Sequence, residues 1–318
     1  MMKNFLSIHD VDDLGDLLQE ARHCKMHPYA DANHGKNKTL GLIFLNPSLR
    51  TRLSTQKAAQ NLGMNVMVMN MGAEGWALEM QDGVIMDGDK SEHIREAAAV
   101  IAQYCDIIGL RSFPGLKDKN LDYAEPVLSA FVKHSGVPVV NLESATLHPL
   151  QSLADVLTIE QFKRKAKPRV VLTWAPHPRA LPQSVPNSFA QWMRRADCDF
   201  VIANPEGYDL DPEFAGDVPV IRDPEAAYRQ ADFIYAKNWS STRSYGQILN
   251  RDSRWMVDSG KMQLTDNAYF MHCLPVRRNV VVSDSIIDSA SSIVIEEANN
   301  RTWAAQAVLK KLLIAGRI

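Results

Sequence analysis

The sequence lacks the features that mark membrane proteins, secreted proteins and nucleic-acid-binding proteins. No apolar run reaches the roughly 20 residues that a membrane-spanning helix needs. The N-terminal segment Met1–Leu6 leads straight into Asp10, Asp12 and Asp13, which is not the pattern of a signal peptide. The formal net charge is −2, so no basic excess indicates a nucleic-acid partner. We therefore expect a cytoplasmic protein with neither a membrane nor a nucleic acid as partner.

Motifs for metals, nucleotides and covalent catalysis are also missing. The four cysteines, Cys24, Cys105, Cys198 and Cys273, are far apart and form no C-x-x-C pair, which argues against a zinc site and a disulfide framework. There is no H-E-x-x-H, no G-x-G-x-x-G, no phosphate-binding P-loop and no G-x-S-x-G elbow. We therefore expect no metal and no organic cofactor. The sequence also gives no support for a dehydrogenase, an NTPase, a zinc hydrolase or a triad hydrolase.

The pattern that is present alternates short apolar runs with helical segments along all 318 residues, enough for two domains. The predicted strands are Thr39–Leu45, Asn65–Asn70, Asp106–Leu110, Val137–Leu142, Arg169–Trp174, Asp199–Asn204, Asp232–Lys237, Tyr269–Leu274 and Ser292–Ile295. The predicted helices include Val11–Cys24, Ser54–Leu62, Ser91–Tyr104, Asp122–His134, Pro149–Lys163, Asn187–Ala196, Pro224–Gln230 and Arg301–Ala315. Several strands are apolar throughout, as in a parallel sheet covered on both faces. This alternation predicts an α/β protein of two doubly wound parallel-sheet domains.

The stretch Leu42–Arg52, LIFLNPSLRTR, is the most informative part of the chain. An apolar strand ends at Asn46-Pro47, and two hydroxyls and two arginines stand where the next helix starts. A helix N-terminus offers unpaired backbone N–H groups and the positive end of the helix dipole. The segment therefore fits either a site for a phosphate-like anion or a capped surface helix with solvated arginines.

Further polar residues follow other predicted strands at their carboxyl ends, where open α/β folds bind ligands. One cleft between the two domains could gather them, whereas each one alone could be an ordinary loop charge. They are Arg111, Glu143, His148, the loop Ala175–Arg179, Lys237 and the segment Cys273–Arg278.

Three motifs together resemble the aspartate/ornithine carbamoyltransferase superfamily: Ser48-Leu49-Arg50-Thr51-Arg52, His148-Pro149-Leu150-Gln151 and His272-Cys273-Leu274-Pro275. Leu49 departs from the usual S-T-R-T-R. The S-M-G segment that grips free ornithine is not found. The proline-rich loop Trp174–Gln183 and Lys237-Asn238-Trp239 instead resemble the N-acylornithine carbamoyltransferase branch.

This resemblance implies transfer of a carbamoyl group from carbamoyl phosphate to the δ-amine of an N-acyl-L-ornithine, giving N-acyl-L-citrulline and phosphate in arginine biosynthesis. It implies a homotrimer with active sites shared between subunits, and a knotted loop in the second domain. The implied domains are a carbamoyl-phosphate-binding domain at residues 1–148, completed by the C-terminal helix 301–318, and an N-acylornithine-binding domain at 149–300.

The same resemblance assigns residues to three groups. The implied catalytic residues are Arg50, Thr51, His148 and Gln151. Those implied to bind carbamoyl phosphate are Ser48, Leu49, Arg50, Thr51, Trp76 of a neighbouring subunit, Arg111, His148, Pro149, Leu150, Gln151, Cys273, Leu274 and Arg301. Those implied to bind the acylornithine are Glu143, His177, Lys237, Arg277 and Ser91, with individual roles left open.

Simpler interpretations exist for several of these residues. His148 could cap the helix that starts at Pro149, and Cys273 fits a buried thiol better than a nucleophile. Trp76 could be an oligomer contact and nothing more.

The acyl group depends mainly on Ser91. In the family, proline at this position goes with the succinyl substrate and glutamate with the acetyl substrate. Serine would not repel a succinyl carboxylate, and the absence of a lysine at Val281 points the same way, so N-succinyl-L-ornithine is favoured. Ser91 could also be only a helix N-cap.

The remaining alternatives are an enzyme specific for N-acetylornithine, a carbamoyltransferase for free ornithine or another amine, and a non-catalytic small-anion binding protein. The missing S-M-G segment argues against free ornithine. The presence of Arg50, Arg111, His148 and Gln151 argues against a simple binder.

Overall fold

The chain forms two compact units, each built on its own parallel sheet. In the computed structural model, which describes residues 2–316, the first unit runs from the start of the described chain to Pro114, then through Asn120–Leu150, and takes in the residues from Arg301 onward. The second unit contains Gly115–Lys119 and Gln151–Asn300. The α/β architecture of two parallel-sheet domains is confirmed.

The sheet of the first unit has four parallel strands in the order β2-β1-β5-β6, and a short β3-β4 pair stands apart from it. The chain adds β2 on one side of β1 and later returns to place β5 on the other side. The carboxyl ends of β1 and β5 flank this reversal, which is where doubly wound folds bind ligands. The strands are β1 (Thr39–Phe44), β2 (Asn65–Asn70), β3 (Leu78–Glu79), β4 (Glu92–His93), β5 (Ile107–Arg111) and β6 (Val139–Glu143).

The sheet of the second unit has five parallel strands in the order β11-β10-β7-β8-β9. Its reversal lies between β7 and β10, where the last residues of both strands, Trp174 and Lys237, are paired in register. The strands are β7 (Arg169–Trp174), β8 (Asp199–Ala203), β9 (Val220–Ile221), β10 (Phe233–Lys237) and β11 (Tyr269–Met271).

Helices cover these sheets, with 3₁₀ turns at Ile8–Asp10 and Ser253–Trp255. No helix within residues 2–316 is long and apolar enough to cross a membrane. The helices are α1 (Leu14–Met26), α2 (Leu49–Asn61), α3 (Met71–Glu74), α4 (Ile94–Gln103), α5 (Lys119–Tyr123), α6 (Pro126–His134), α7 (Pro149–Phe162), α8 (Ser184–Met193), α9 (Pro212–Ala215), α10 (Pro224–Tyr228), α11 (Ser259–Met262), α12 (Asp284–Ile287) and α13 (Val294–Ala315).

Helices α2, α8 and α13 begin earlier than the sequence predicted, and α8 starts at Ser184 instead of Asn187. Helix α2 starts at Leu49, directly after the extended residue Ser48, so the predicted loop is the first turn of the helix. The predicted strand Ser292–Ile295 is wrong: Ser292 makes only an isolated bridge with Phe270, and α13 starts at Val294. The β-branched run there has strand propensity, but it lies at the start of a 22-residue helix.

Two other predicted helices need correction. The single helix Asp122–His134 is divided into α5 and α6, because Glu125 is left-handed (φ 49°) and Pro126 opens α6. A proline lacks the N–H that would continue the helix and restricts the residue before it. Helix α4 begins at Ile94 and is capped by His93, whose imidazole accepts the Arg95 N–H at 3.2 Å, so the proposal that Ser91 is the N-cap is wrong.

Candidate active site

The first turn of α2 stands at the carboxyl end of β1. Ser48 is the N-cap residue, yet its side chain makes no capping hydrogen bond. Leu49 points outward with 67% of its surface exposed, whereas Thr51 is buried. The backbone N–H groups of a first turn have no partner within the helix, and the helix dipole adds positive potential. This turn therefore offers an anion several donors.

A buried chain of polar contacts connects Thr51 to the ends of β5 and β6. Arg301, on α13, donates through Nη2 to Thr51 Oγ1 at 2.5 Å and to His148 Nε2 at 3.4 Å. His148 Nε2 lies 3.7 Å from Glu143 Oε2, and the same oxygen accepts a hydrogen bond from Arg111 Nη1. All five residues are less than a tenth exposed and belong to the first unit. Residues that are 250 positions apart thus form one group.

The direction of these hydrogen bonds fixes what the neutral side chains can offer. An arginine can only donate, so Thr51 Oγ1 and His148 Nε2 are acceptors toward Arg301. The Thr51 hydroxyl hydrogen is then directed elsewhere, and a neutral His148 carries its hydrogen on Nδ1. Both residues can donate to an oxygen that gains negative charge.

Arg111 and Glu143 meet because their strands are neighbours in register. Arg111 pairs with Phe44 of β1 on one side and with Glu143 of β6 on the other. Its guanidinium also lies 5.2 Å from the centre of the Phe113 ring. The structure therefore brings Glu143, predicted to bind the acylornithine, into direct contact with two residues predicted to bind carbamoyl phosphate.

The loop between Glu143 and His148 is held by Glu125, which the sequence analysis missed. Glu125 Oε1 accepts hydrogen bonds from Ser144 Oγ at 2.6 Å and from the Thr146 N–H and hydroxyl at 2.8 and 2.6 Å. Burial raises the pKa of this carboxyl above its usual range. A lone glutamate before a proline carries no sequence signal of such a role.

A second group, in the second unit, is strongly basic. Arg277 donates through Nε to His177 Nε2 at 3.1 Å, and His177 Nδ1 lies 2.9 Å from the carbonyl oxygen of Arg179. Burial lowers the pKa of His177, and the nearby charges of Arg277, Lys237 and Arg179 lower it further. The Arg179 N–H also lies 3.0 Å from Nδ1. Because an arginine side chain can only donate, Nε2 is the acceptor toward Arg277, so a neutral His177 carries its hydrogen on Nδ1 and donates it to the Arg179 carbonyl. Cations gathered at the ends of β7 and β10 suit a carboxylate ligand.

Gln151 lies in the first turn of α7 and is fully buried. Its Nε2 donates to Asp155 Oδ1 at 2.8 Å and to Glu297 Oε1 at 3.3 Å. The sequence analysis missed both carboxyl groups. The i, i+4 spacing of Gln151 and Asp155 could have indicated the first, because such residues face each other on a helix.

The structure describes other predicted site residues individually. Cys273 is buried, and the Leu274 N–H donates to His272 Nδ1 at 2.8 Å. Trp76 is 56% exposed and donates through Nε1 to Glu92 at 2.9 Å. Ser91, the residue before Glu92, is exposed in the same surface segment. Trp76 and Ser91 are not members of the buried chain from Thr51 to Arg111.

Comparisons with known proteins identify relatives that match nearly the whole chain. The model of the aspartate/ornithine carbamoyltransferase carbamoyl-P binding domain matches residues 3–161, and that of the Asp/Orn binding domain matches residues 182–312. The N-succinylornithine carbamoyltransferase of Bacteroides thetaiotaomicron is 55% identical over 98% of this chain and 99% of its own length. The N-acetylornithine carbamoyltransferase of Xanthomonas campestris pv. campestris is 36% identical over 98% of both.

A solved structure provides a further comparison. A glutamate-to-serine mutant of N-acetyl-L-ornithine transcarbamylase, complexed with carbamyl phosphate and N-succinyl-L-norvaline, matches with a TM-score of 0.91 at 36% identity. The match covers 98% of this chain and 99% of that one.

Proposed function

The chain belongs to the aspartate/ornithine carbamoyltransferase family, and on this premise we propose that it carbamoylates N-succinyl-L-ornithine. The enzyme is a carbamoyltransferase: carbamoyl phosphate and the δ-amine of the acceptor give N-succinyl-L-citrulline and phosphate, a step of arginine biosynthesis. The observation that carries the choice of acceptor is the 55% identity to a N-succinylornithine carbamoyltransferase along nearly the whole chain. Neither free ornithine nor a purely binding role is favoured.

The first group of residues is proposed to hold carbamoyl phosphate. Ser48, Leu49, Arg50 and Thr51 would surround the phosphate at the start of α2. Arg111 would bind a phosphate oxygen once its guanidinium is shared between the ligand and Glu143. Pro149, Leu150, Cys273 and Leu274 are further proposed contacts of this substrate.

Catalysis is proposed to rest on donors aimed at the carbamoyl oxygen. The neutral δ-amine attacks the carbamoyl carbon, the carbonyl oxygen gains negative charge, and phosphate leaves. Arg50, Thr51 and His148 would donate to that oxygen, with Arg301 holding the last two in place. One well-placed donor of this kind contributes about 10²–10³ in rate. Gln151 would bind the carbamoyl amide group.

The acceptor is proposed to lie against the basic group of the second unit. Lys237 and Arg277 would bind the carboxylate of the acylornithine through their positive charges, and His177 would take part by holding the Arg277 guanidinium in place. The carboxylate of Glu143 would accept hydrogen bonds from the amine or amide N–H groups of the acylornithine.

Ser91 is proposed to face the acyl group. Ser91 is exposed and is not the N-cap of α4, so neither core packing nor helix capping explains a serine at this position. A serine leaves room for the succinyl carboxylate and adds no like charge. Mutants of the acetyl enzyme with alanine, valine, proline or serine in place of one glutamate are all complexed with N-succinyl-L-norvaline, which supports the idea that the absence of a glutamate admits the succinyl group.

The protein is further proposed to be a homotrimer whose sites are completed by Trp76 of a neighbouring subunit. Support comes from the exposure of apolar side chains on the first unit, among them Leu49, Leu53 and Trp76. Mixing inactive Arg50→Ala and Trp76→Ala proteins under exchange conditions is expected to restore activity, because some hybrid sites then contain both native residues. Failure to regain activity, despite hybrids seen by native mass spectrometry, would contradict a shared site. The cytoplasmic location and the knot stay predictions.

Turnover separates the enzyme from a binding protein. With carbamoyl phosphate and N-succinyl-L-ornithine, we expect equimolar phosphate and ureido product. Omission of the acceptor is expected to abolish phosphate release above the spontaneous rate. Tight calorimetric binding of carbamoyl phosphate without product would overturn the proposal.

A further inference from the structure

Gln151 is held by two carboxyl groups that lie beside each other inside the second unit. The carboxyl of Glu297 has three hydrogen-bond partners. It bonds to the side chains of Gln151 and Asp155, and it accepts the His272 N–H at 2.9 Å. Asp155 lies one turn beyond Gln151 on α7, and Glu297 lies in the first turn of α13. Gln151, Asp155 and Glu297 are all fully buried.

This arrangement determines which way the Gln151 amide points. Carboxyl oxygens are mainly acceptors, so the NH₂ end of the amide must face Asp155 and Glu297. The other end, Oε1, is buried and has no hydrogen-bond partner among residues 2–316. Buried acceptors are nearly always paired in native proteins. Oε1 is therefore the end of the Gln151 amide that can accept an N–H from a ligand.

Two negative charges on neighbouring buried carboxyl groups repel each other strongly. The titratable groups that face Glu297 are Asp155 on α7, Tyr235 on β10 and Cys273 after β11, and all three are acids. Burial, followed by the charge of Asp155, raises the pKa of Glu297 well above its usual range. Adjacent carboxyl groups in an apolar site keep one proton between them for the same reason.

We propose that Asp155 and Glu297 share one proton and act as a positioning pair that fixes the Gln151 amide with Oε1 toward the N–H group of the carbamoyl substrate. This inference rests on the proposed function for its ligand. If the Gln151 amide were reversed, its NH₂ group would face the NH₂ group of the carbamoyl substrate, and the hydrogen bond between them would be lost. Neither carboxyl touches substrate in this account, since both act through Gln151.

Substitutions at Asp155 test the role of the acceptor oxygen. Asp155→Ala removes the closer acceptor and is expected to lower kcat/KM for carbamoyl phosphate by about 10- to 100-fold. In Asp155→Asn, the new amide oxygen still accepts from Gln151 Nε2, and the new amide NH₂ donates to an ionised Glu297. This variant is expected to stay within about threefold of the native enzyme. An equal loss in both variants would overturn the proposal.

A double-mutant cycle separates positioning from general stability. In a Gln151→Met background, Asp155→Ala is expected to change kcat/KM by less than about threefold, because its effect passes through Gln151. The matched control is Thr158→Val, which removes the hydrogen bond from Asn300 at 2.8 Å, also between α7 and α13. It is expected to lower stability and to leave kcat/KM unchanged in both backgrounds. Full additivity of Asp155→Ala and Gln151→Met would contradict the proposal.

The shared proton is tested without any substrate. A carboxyl whose pKa is higher when folded binds more protons in the folded protein, so it favours folding at low pH. The stability of the native protein is therefore lost as the pH rises from the ordinary glutamate pKa through the raised one. Asp155→Asn removes the like charge, so its unfolding midpoint in urea should fall less between pH 5.5 and 8.5. If the unfolding midpoints of the native protein and of Asp155→Asn change with pH in parallel, the two carboxyl groups do not share a proton.

The double-mutant cycle and the urea unfolding curves together also separate this inference from the proposed reaction. If the native protein shows no turnover, the proposed function fails, whereas the urea curves still decide whether the pair shares a proton. In that case the dissociation constant for carbamoyl phosphate, measured by calorimetry, replaces kcat/KM in the cycle. If turnover is normal and the cycle is additive, only the positioning role fails.

Discussion

Replacing Arg50 with alanine is expected to lower kcat/KM for carbamoyl phosphate by about 10²–10³-fold, with the protein still folded. Arg50 lies in the first turn of α2 and is half-buried. Like Thr51, it is assigned to both the leaving phosphate and the carbamoyl oxygen, but it alone of the two carries a positive charge, so its loss affects the transition state more than the ground state. A drop mainly in kcat would show this. Arg50→Lys should recover only part of the rate, because an ammonium cannot bind phosphate through two parallel N–H groups.

Arg52→Ala is the matched control for this prediction. Arg52 lies in the same first turn and carries the same charge, but it is exposed. Its loss is expected to change kcat/KM by less than about threefold, since exposed charges contribute little. Near-native turnover in Arg50→Ala, or equal losses in both variants, would contradict the proposed phosphate site.

Replacing Ser91 with glutamate is expected to reverse the choice of acyl group. The new carboxylate would face the succinyl carboxylate, and like charges held together cost several kcal/mol. We expect kcat/KM for N-succinyl-L-ornithine to fall by about 10²-fold, and activity with N-acetyl-L-ornithine to rise or persist. Because Ser91 is exposed and outside the helix caps, the substitution should leave the melting temperature unchanged.

The control for Ser91→Glu is Ser91→Ala, which removes the hydroxyl and adds no charge. A fall of less than about tenfold with N-succinyl-L-ornithine is expected, the cost of one hydrogen bond at most. If Ser91→Glu retains full activity with the succinyl substrate, Ser91 does not face the acyl group. The specificity must then come from another residue.

The sequence predicted most strands of both sheets, because strands buried on both faces are apolar throughout. The two-residue β9 was missed, and the partly exposed β2 was recognised by its alternating methionines. Asn65–Asn70 and Arg169–Trp174 were predicted with the observed bounds. Helix starts were less predictable. His93 caps α4 with an imidazole, and Ser48 precedes α2 without a side-chain cap, so neither shows the usual Ser or Asp hydrogen bond.

The candidate site was predictable only where it is local in sequence. The turn Ser48–Arg52 follows a strand and opens a helix, so the residues alone raised an anion site as one of two interpretations. The contact from Arg301 to Thr51 spans 250 residues and depends on how α13 returns to the first unit. No periodicity encodes it, so Arg301 entered the prediction through the family resemblance alone. Glu297 was missed for the same reason, since it lies 146 positions from Gln151, whereas the i, i+4 spacing of Gln151 and Asp155 was visible in the sequence.

The most direct test of the central claim is a competition between acceptors in one reaction. The purified protein is given carbamoyl phosphate with equal amounts of N-succinyl-L-ornithine, N-acetyl-L-ornithine, L-ornithine and L-aspartate, and the carbamoylated products are separated by mass. The account predicts N-succinyl-L-citrulline as the dominant product. A product mixture dominated by L-citrulline or N-carbamoyl-L-aspartate would contradict it.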